Sequence, residues 1–309
     1  MKRTGRRRVV VTGAAGQLGS ALAALWGEDD EVVPLTRSGL DVGDEGAVRL
    51  SIARLAPGVV VNAAAYNDVE RAEAEPLAAL RVNALGVSAL ARAAAEAGAT
   101  LVHFSSDFVL DGTKEAPWVE DDAARALSVY GASKLLGERL ALAAPGAYVL
   151  RVESLFGGPL ARSSVDRIVE ALERGEEVRV FSDRTVSPTY VPDLVATVRA
   201  LLDRSAAPGL YHAANDGFTT WEGLAREAAR LLGATPRLVP VRLADAPLRA
   251  SRPLRCALDP ARLRSLGLAP PHWRDALRRC LAERGAVGAP REGTATAPPP
   301  PARRGSSGS

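Results

Sequence analysis

Cysteine is almost missing from this chain. Its 309 residues hold two, Cys256 and Cys280, which give neither a disulfide framework nor a metal-ligand spacing. Histidine is scarce too. His103, His212 and His272 lie far apart, which argues against a histidine-based metal site, and no metal is expected. Long apolar runs are lacking: none approaches the roughly 20 residues that span a bilayer. The basic, then apolar start from Met1 to Val11 is too short in its apolar part for a signal peptide, and it leads straight into a glycine motif. A cytoplasmic protein without a membrane partner is therefore expected. Internal repeats are absent.

A basic folded surface is also lacking, although the pI is near 9.1. The net charge is +3. Lys2, Arg3, Arg6, Arg7 and Arg8 carry +5, and the stretch from Gly285 onward carries +2, so residues 9–284 stand at −4. The surplus lies in ends that read as solvated and disordered. Nucleic-acid binding needs a basic stripe on the body, so no nucleic-acid partner is expected.

What the chain does contain is ordinary globular material, 47% hydrophobic and 24% charged. Short apolar runs alternate with alanine-rich stretches. The runs 8–12, 31–36, 59–62, 100–105 and 147–152 read as strands, and 18–26, 45–55, 76–97 and 130–143 as helices. The strands are continuous apolar runs such as VVVTG and VVVNA, which suits strands buried on both faces of a parallel sheet. Strand then helix, repeated, predicts an α/β fold with a doubly wound parallel (Rossmann) sheet over residues 1–152. Beyond Arg151 the rhythm loosens into a smaller C-terminal substrate-binding lobe, 153–284, some of whose elements return to the first domain. Residues 285–309, rich in Pro, Gly, Ala and Ser, read as a disordered tail.

Gly13, Gly16 and Gly19 form G-x-x-G-x-x-G between the first strand and its helix. Glycine there permits a tight turn and close approach of a pyrophosphate to the helix N-terminus. The bland reading is a turn alone, but the motif sits where a dinucleotide fingerprint belongs. An acid at the end of the second strand would favour NAD. The sequence has Arg37 instead, which can pair with a 2′-phosphate, so NADPH is the expected cofactor, with NADH as the alternative.

Tyr130 and Lys134 stand four apart in a predicted helix and share a face. An ammonium one turn away is expected to lower the phenol's pKa and make it a working acid. By itself such a pair reads as a solvated helix face. Ser106 ends a buried strand at the edge where ligands bind, and its hydroxyl could bond a substrate oxygen; its plain alternative is a turn cap.

These pieces together resemble the extended short-chain dehydrogenase/reductases, and among them the dTDP-4-dehydrorhamnose reductase family. The matching motifs are GAAGQLG, the turn at Leu40–Val42, VNAAAYNDVERAE from Val61, HFSSDFVLDG from His103 and VYGASKLLGE from Val129. They continue with DRTVSPTYVPDLV from Asp183, GLYHAANDGFTTWEGLA from Gly209 and RPLRCALDPARL from Arg252. The resemblance implies reduction of the 4-keto group of a nucleotide-sugar substrate. It places Gly16, Gln17 and Leu18 at the pyrophosphate, Asp41 and Val42 beside the adenine, and Ala63, Ala64 and Ala65 along ribose and phosphates. It puts Ser106 and Asp107 against the sugar, and is compatible with a homodimer. Family members often read R-T-S-W-V-Y-G where this chain has Arg151-Val152-Glu153-Ser154-Leu155-Phe156-Gly157. Ser154 thus replaces a tryptophan of the sugar pocket and Glu153 adds an acid, which leaves the sugar open. The rival readings are a reductase or epimerase for another nucleotide sugar or ketone, and a non-catalytic regulator like the methionine adenosyltransferase β subunit.

Overall fold

The computed structural model describes residues 6–285 apart from Ala161, so the tail predicted beyond Gly285 lies outside the described residues, as do Lys2 and Arg3. In chain order come β1 (Arg8–Thr12), α1 (Gln17–Trp26), β2 (Glu31–Leu35), α2 (Glu45–Leu55), β3 (Val59–Asn62), α3 (Pro76–Glu96), β4 (Thr100–Ser106), α4 (Val129–Leu142) and β5 (Tyr148–Val152). Val9, Val10 and Val11 are fully buried, as are Val60 and Val61. Each such side chain contributes roughly 1.5–3 kcal/mol. With both faces apolar, the strands pair in parallel, Val10 opposite Val33 on one side and Val60 on the other. Helices begin where side chains cap them: Asp44 accepts from the Ala47 N–H for α2, and Ser128 from the Gly131 N–H for α4.

By length and composition α3 could cross a membrane, contrary to the sequence reading that no stretch approaches a span. Its apolarity has another use here. Val87, Leu90 and Ala94 pack with Val48, Ile52 and Val60 in the core on one side of the sheet.

The chain continues through α5 (Ser164–Glu173), β6 (Glu177–Phe181), α6 (Val191–Asp203), β7 (Gly209–His212), α7 (Trp221–Leu232), β8 (Arg237–Val241) and α8 (Trp273–Glu283). Strand β7 pairs in parallel with β5, giving the order β7-β5-β4-β3-β1-β2. Helix α6 lays Leu194, Val198 and Leu201 against Leu22 and Trp26 of α1. Two elements beyond residue 152, β7 and α6, thus pack in the sheet layer. The lobe keeps its own core of Phe156, Val165, Leu172, Leu224, Trp273 and Leu277, beside the parallel pair β6–β8.

Three of the cations assigned to a solvated N-terminus are instead tied to the fold. Arg7 bridges Asp30 and Asp203, Arg8 pairs with Glu31, and Arg6 donates to the carbonyls of Gly27 and Glu28. The start of β1 runs beside the acidic turn between α1 and β2, which supplies most of these partners.

Candidate active site

A cleft of about 470 Å³ opens at the carboxyl ends of β1, β3, β4 and β5. That edge is where open α/β sheets take their ligands. One wall is the glycine loop. Gly13 has φ +68°, and a Cβ there would meet the Ala63 backbone at 2.6 Å; at Gly19 it would lie 2.2 Å from the Gly13 carbonyl oxygen. Only glycine lets α1 sit this close to β1 and β3. Gly16 caps α1 without any side-chain bond, so the first-turn N–H groups remain for an anion. Gly16, Gln17 and Leu18 line the cleft, as do Ala63, Ala64 and Ala65. The second group is shaped by Asn62, whose carboxamide oxygen accepts from the Thr12 hydroxyl at 2.7 Å and the Ala64 N–H at 3.2 Å. The loop and its free amides thus fit a dinucleotide pyrophosphate.

Other expected cofactor residues stand apart from the cleft. Arg37 is exposed on the turn after β2. The Leu35 carbonyl accepts from the Ala14 N–H, which keeps that turn next to the glycine loop. Asp41 pairs with Arg81 at 2.8 Å and accepts from the Gly43 N–H. Val42 is buried against Gly86. Neither Asp41 nor Val42 lines the cleft.

Tyr130, Lys134 and Ser106 do meet in it. Tyr130 lies on the first turn of α4 with its ring edge-to-face on Phe108, centroids 5.4 Å apart. The expectation that Lys134 would lower its pKa fails in this structure. Burial pushes the Tyr130 phenol up to about 12, the Ser106 hydroxyl acts against that shift, and the Asp107 charge acts with it. The Lys134 ammonium is engaged elsewhere, donating to the Phe104 carbonyl at 2.6 Å. Burial brings Lys134 down to about 8, opposed by the Glu138 carboxylate. Glu138, one turn further on, is itself buried, holding Arg151 at 2.7 Å and the Ser105 hydroxyl at 2.8 Å. This network fastens α4 to β4 and β5 directly beneath the cleft. Ser106 fills both of its readings: its hydroxyl caps the turn at the Phe108 N–H and donates to Asp107 at 2.9 Å, within the cleft wall.

Asp107 and Glu153 are both buried. Arg184 donates to Asp107 at 3.1 Å and to the Cys256 sulfur at 3.4 Å. Ligand atoms of Asp107, Glu153 and Cys256 lie within 4.8 Å of one another, but the cation seated among them is the Arg184 guanidinium. Ser154 lines the cleft with φ +47°, a backbone conformation that is uncommon outside glycine.

The lobe supplies a wall that the sequence reading did not assign. Arg162, Arg167, Trp221 and Arg252 line the cleft, and an adjoining hollow of about 440 Å³ shares Arg167, Arg184, Trp221 and Arg252 with it. Val178, Val180 and Val241 floor that hollow. The indole Nε1 of Trp221 and the Nε of Arg252 are buried donors without a partner. Trp221, Arg184 and Arg252 fall inside motifs quoted above. A basic or aromatic residue at each was the available signal.

A family model described as the RmlD substrate binding domain matches residues 7–285. The chain is 40% identical over 284 residues to a dTDP-4-dehydrorhamnose reductase of Mycobacterium tuberculosis, covering 89% of this chain and 92% of that one. It is 39% identical over 281 residues to a probable dTDP-4,6-dihydroxy-2-methyloxan-3-one 4-ketoreductase of Streptomyces antibioticus, covering 89% and 94%. Among solved structures, the dTDP-4-dehydrorhamnose reductase of Bacillus anthracis in complex with NADP superimposes with a TM-score of 0.86 at 30% identity, covering 90% of this chain and 100% of that one.

Proposed function

The chain belongs to the dTDP-4-dehydrorhamnose reductase family, and from that premise we propose that it reduces the 4-keto group of a dTDP-linked 6-deoxyhexose with NADPH. One observation carries the reading: the Ser106 hydroxyl and Tyr130 phenol face a single cleft, with the glycine loop on one side and unpartnered lobe donors on the other. Buried donors without partners are costly, and a diphosphate would satisfy them. Arg252 Nε, Trp221 Nε1 and the Arg167 guanidinium suit that group. The hollow floored by Val178, Val180 and Val241 suits the base.

When bound, the reduced nicotinamide supplies the hydride that the carbonyl carbon accepts. The residues of this chain supply the proton and the setting. With a pKa near 12, the Tyr130 phenol holds its proton at neutral pH and is poised to give it to an oxygen becoming an alkoxide. The Ser106 hydroxyl, on turning its proton from Asp107 to that oxygen, donates to it as charge gathers there. Lys134, still mainly an ammonium at pH 7, offsets negative charge in a buried setting where little water screens it.

The sugar itself is the finer question, since relatives of equal similarity are named for differently hydroxylated rings. The test is NADPH oxidation with a panel of dTDP-4-keto-6-deoxyhexoses, the product identified by mass. Two added hydrogens on one sugar are expected. No oxidation with any of them, despite NADPH binding, refutes the reading and leaves a non-catalytic regulator in its place.

A further inference from the structure

The buried cluster beneath the sugar side of the cleft has an imbalance. It holds two carboxyl groups, Asp107 and Glu153, and one guanidinium, Arg184. The Cys256 thiol beside them is held neutral by burial. Ionising both carboxyls would leave a net negative charge in a dry wall, which is expensive. The partners decide which one stays neutral. Asp107 receives Arg184 at 3.1 Å and the Ser106 hydroxyl at 2.9 Å. Glu153 receives one bond, from the Ser187 N–H to Oε2 at 2.7 Å, and its Oε1 is buried with no donor. Glu153 is therefore the group that keeps its proton. Burial and the neighbouring Asp107 charge both push it that way.

Its position gives that proton a use. Glu153 is only 2% exposed, yet it lines the cleft between Asp107 and Ser154. Ser154 has a small side chain on a left-handed backbone, so space lies open over it where a large side chain would have closed the wall. The geometry points to Glu153 as a specificity-determining residue whose neutral carboxyl hydrogen-bonds a ring hydroxyl of the hexose in this space. This rests on the nucleotide-sugar reading given above. A site built to bond a hydroxyl rejects the analogue lacking it, because its own polar group is then buried unpaired.

The test measures binding, with NADP⁺ present, of dTDP, dTDP-glucose, and the 2-deoxy and 3-deoxy forms of dTDP-glucose by calorimetry. The unaltered protein should bind dTDP-glucose about tenfold to a hundredfold more tightly than one of the two deoxy forms. Glu153→Gln, a neutral hydrogen-bonding replacement that still serves Ser187, should keep that preference. Glu153→Met, of similar size and apolar, should lose it. The Kd of dTDP alone should be the same in all three and reports that each is folded. A preference that survives in Glu153→Met, that vanishes in Glu153→Gln, or that the unaltered protein lacks, overturns the assignment. Failure of the unaltered protein to bind dTDP overturns the nucleotide-sugar reading itself, and the role of Glu153 with it.

Discussion

Reduction should fall away above about pH 8, and Lys134 is the reason. Its ammonium is buried, and desolvation outweighs the help of Glu138, leaving a pKa of about 8 against the usual 10.5. A cation with a depressed pKa loses its proton as pH rises through the new value. With a pKa of about 8, roughly nine in ten molecules carry the charge at pH 7 and about one in ten at pH 9. If the charge is needed, kcat/KM for NADPH, which reports ionisations of the free protein, should be level below about pH 7. It should then drop about tenfold for each pH step above 9. Tyr130, at about 12, titrates beyond this window and adds no second limb. The assay is initial NADPH oxidation from pH 6 to pH 10, with the fold monitored by circular dichroism. Lys134→Arg supplies the control, because a guanidinium stays charged throughout this range. Its rate should be lower but free of the alkaline limb. A level profile to pH 10 in the unaltered protein, or the same limb in the arginine variant, refutes the reasoning.

Tyr130→Phe should lower kcat by about 10²–10⁴-fold while the Kd for NADPH, measured by fluorescence, stays unchanged. Arg37→Asp should raise KM for NADPH about tenfold to a hundredfold and leave KM for NADH nearly untouched; equal changes would remove Arg37 from cofactor choice. Glu138→Ala strands the buried Arg151 charge and should cost about 3–5 kcal/mol, a Tm loss of about 6–20 °C by calorimetry. Glu153→Gln should act oppositely. A carboxyl whose folded pKa is raised stabilises fully below its unfolded value and loses that contribution as pH rises, so the glutamine form should melt higher at pH 7. Each kcal/mol gained is worth about 2–4 °C, and the advantage should vanish near pH 4.

The sheet and the meeting of Tyr130, Lys134 and Ser106 in one cleft could be read from sequence because both rest on local signals. Continuous valine runs specify buried parallel strands, and Tyr130 and Lys134 are neighbours by helix geometry alone. What sequence concealed is what burial decides. The Tyr130 pKa moves against the expectation because the ring is enclosed and Lys134 bonds a carbonyl of strand β4. Arg252 and Trp221 reach the cleft through lobe packing that no spacing announces. No local pattern marks Glu138 as buried, because its partners Ser105 and Arg151 lie on two different strands.

The late return of β7 to the sheet bears on how the protein is made. During synthesis β5 emerges long before residues 209–212, which are its outer partner. Until then its edge presents unpaired amides and carbonyls, a template for pairing with any extended chain nearby. Much of the lobe must leave the ribosome before that edge is covered. Chains that stall or are truncated within α6 should therefore be the ones that aggregate or engage chaperones.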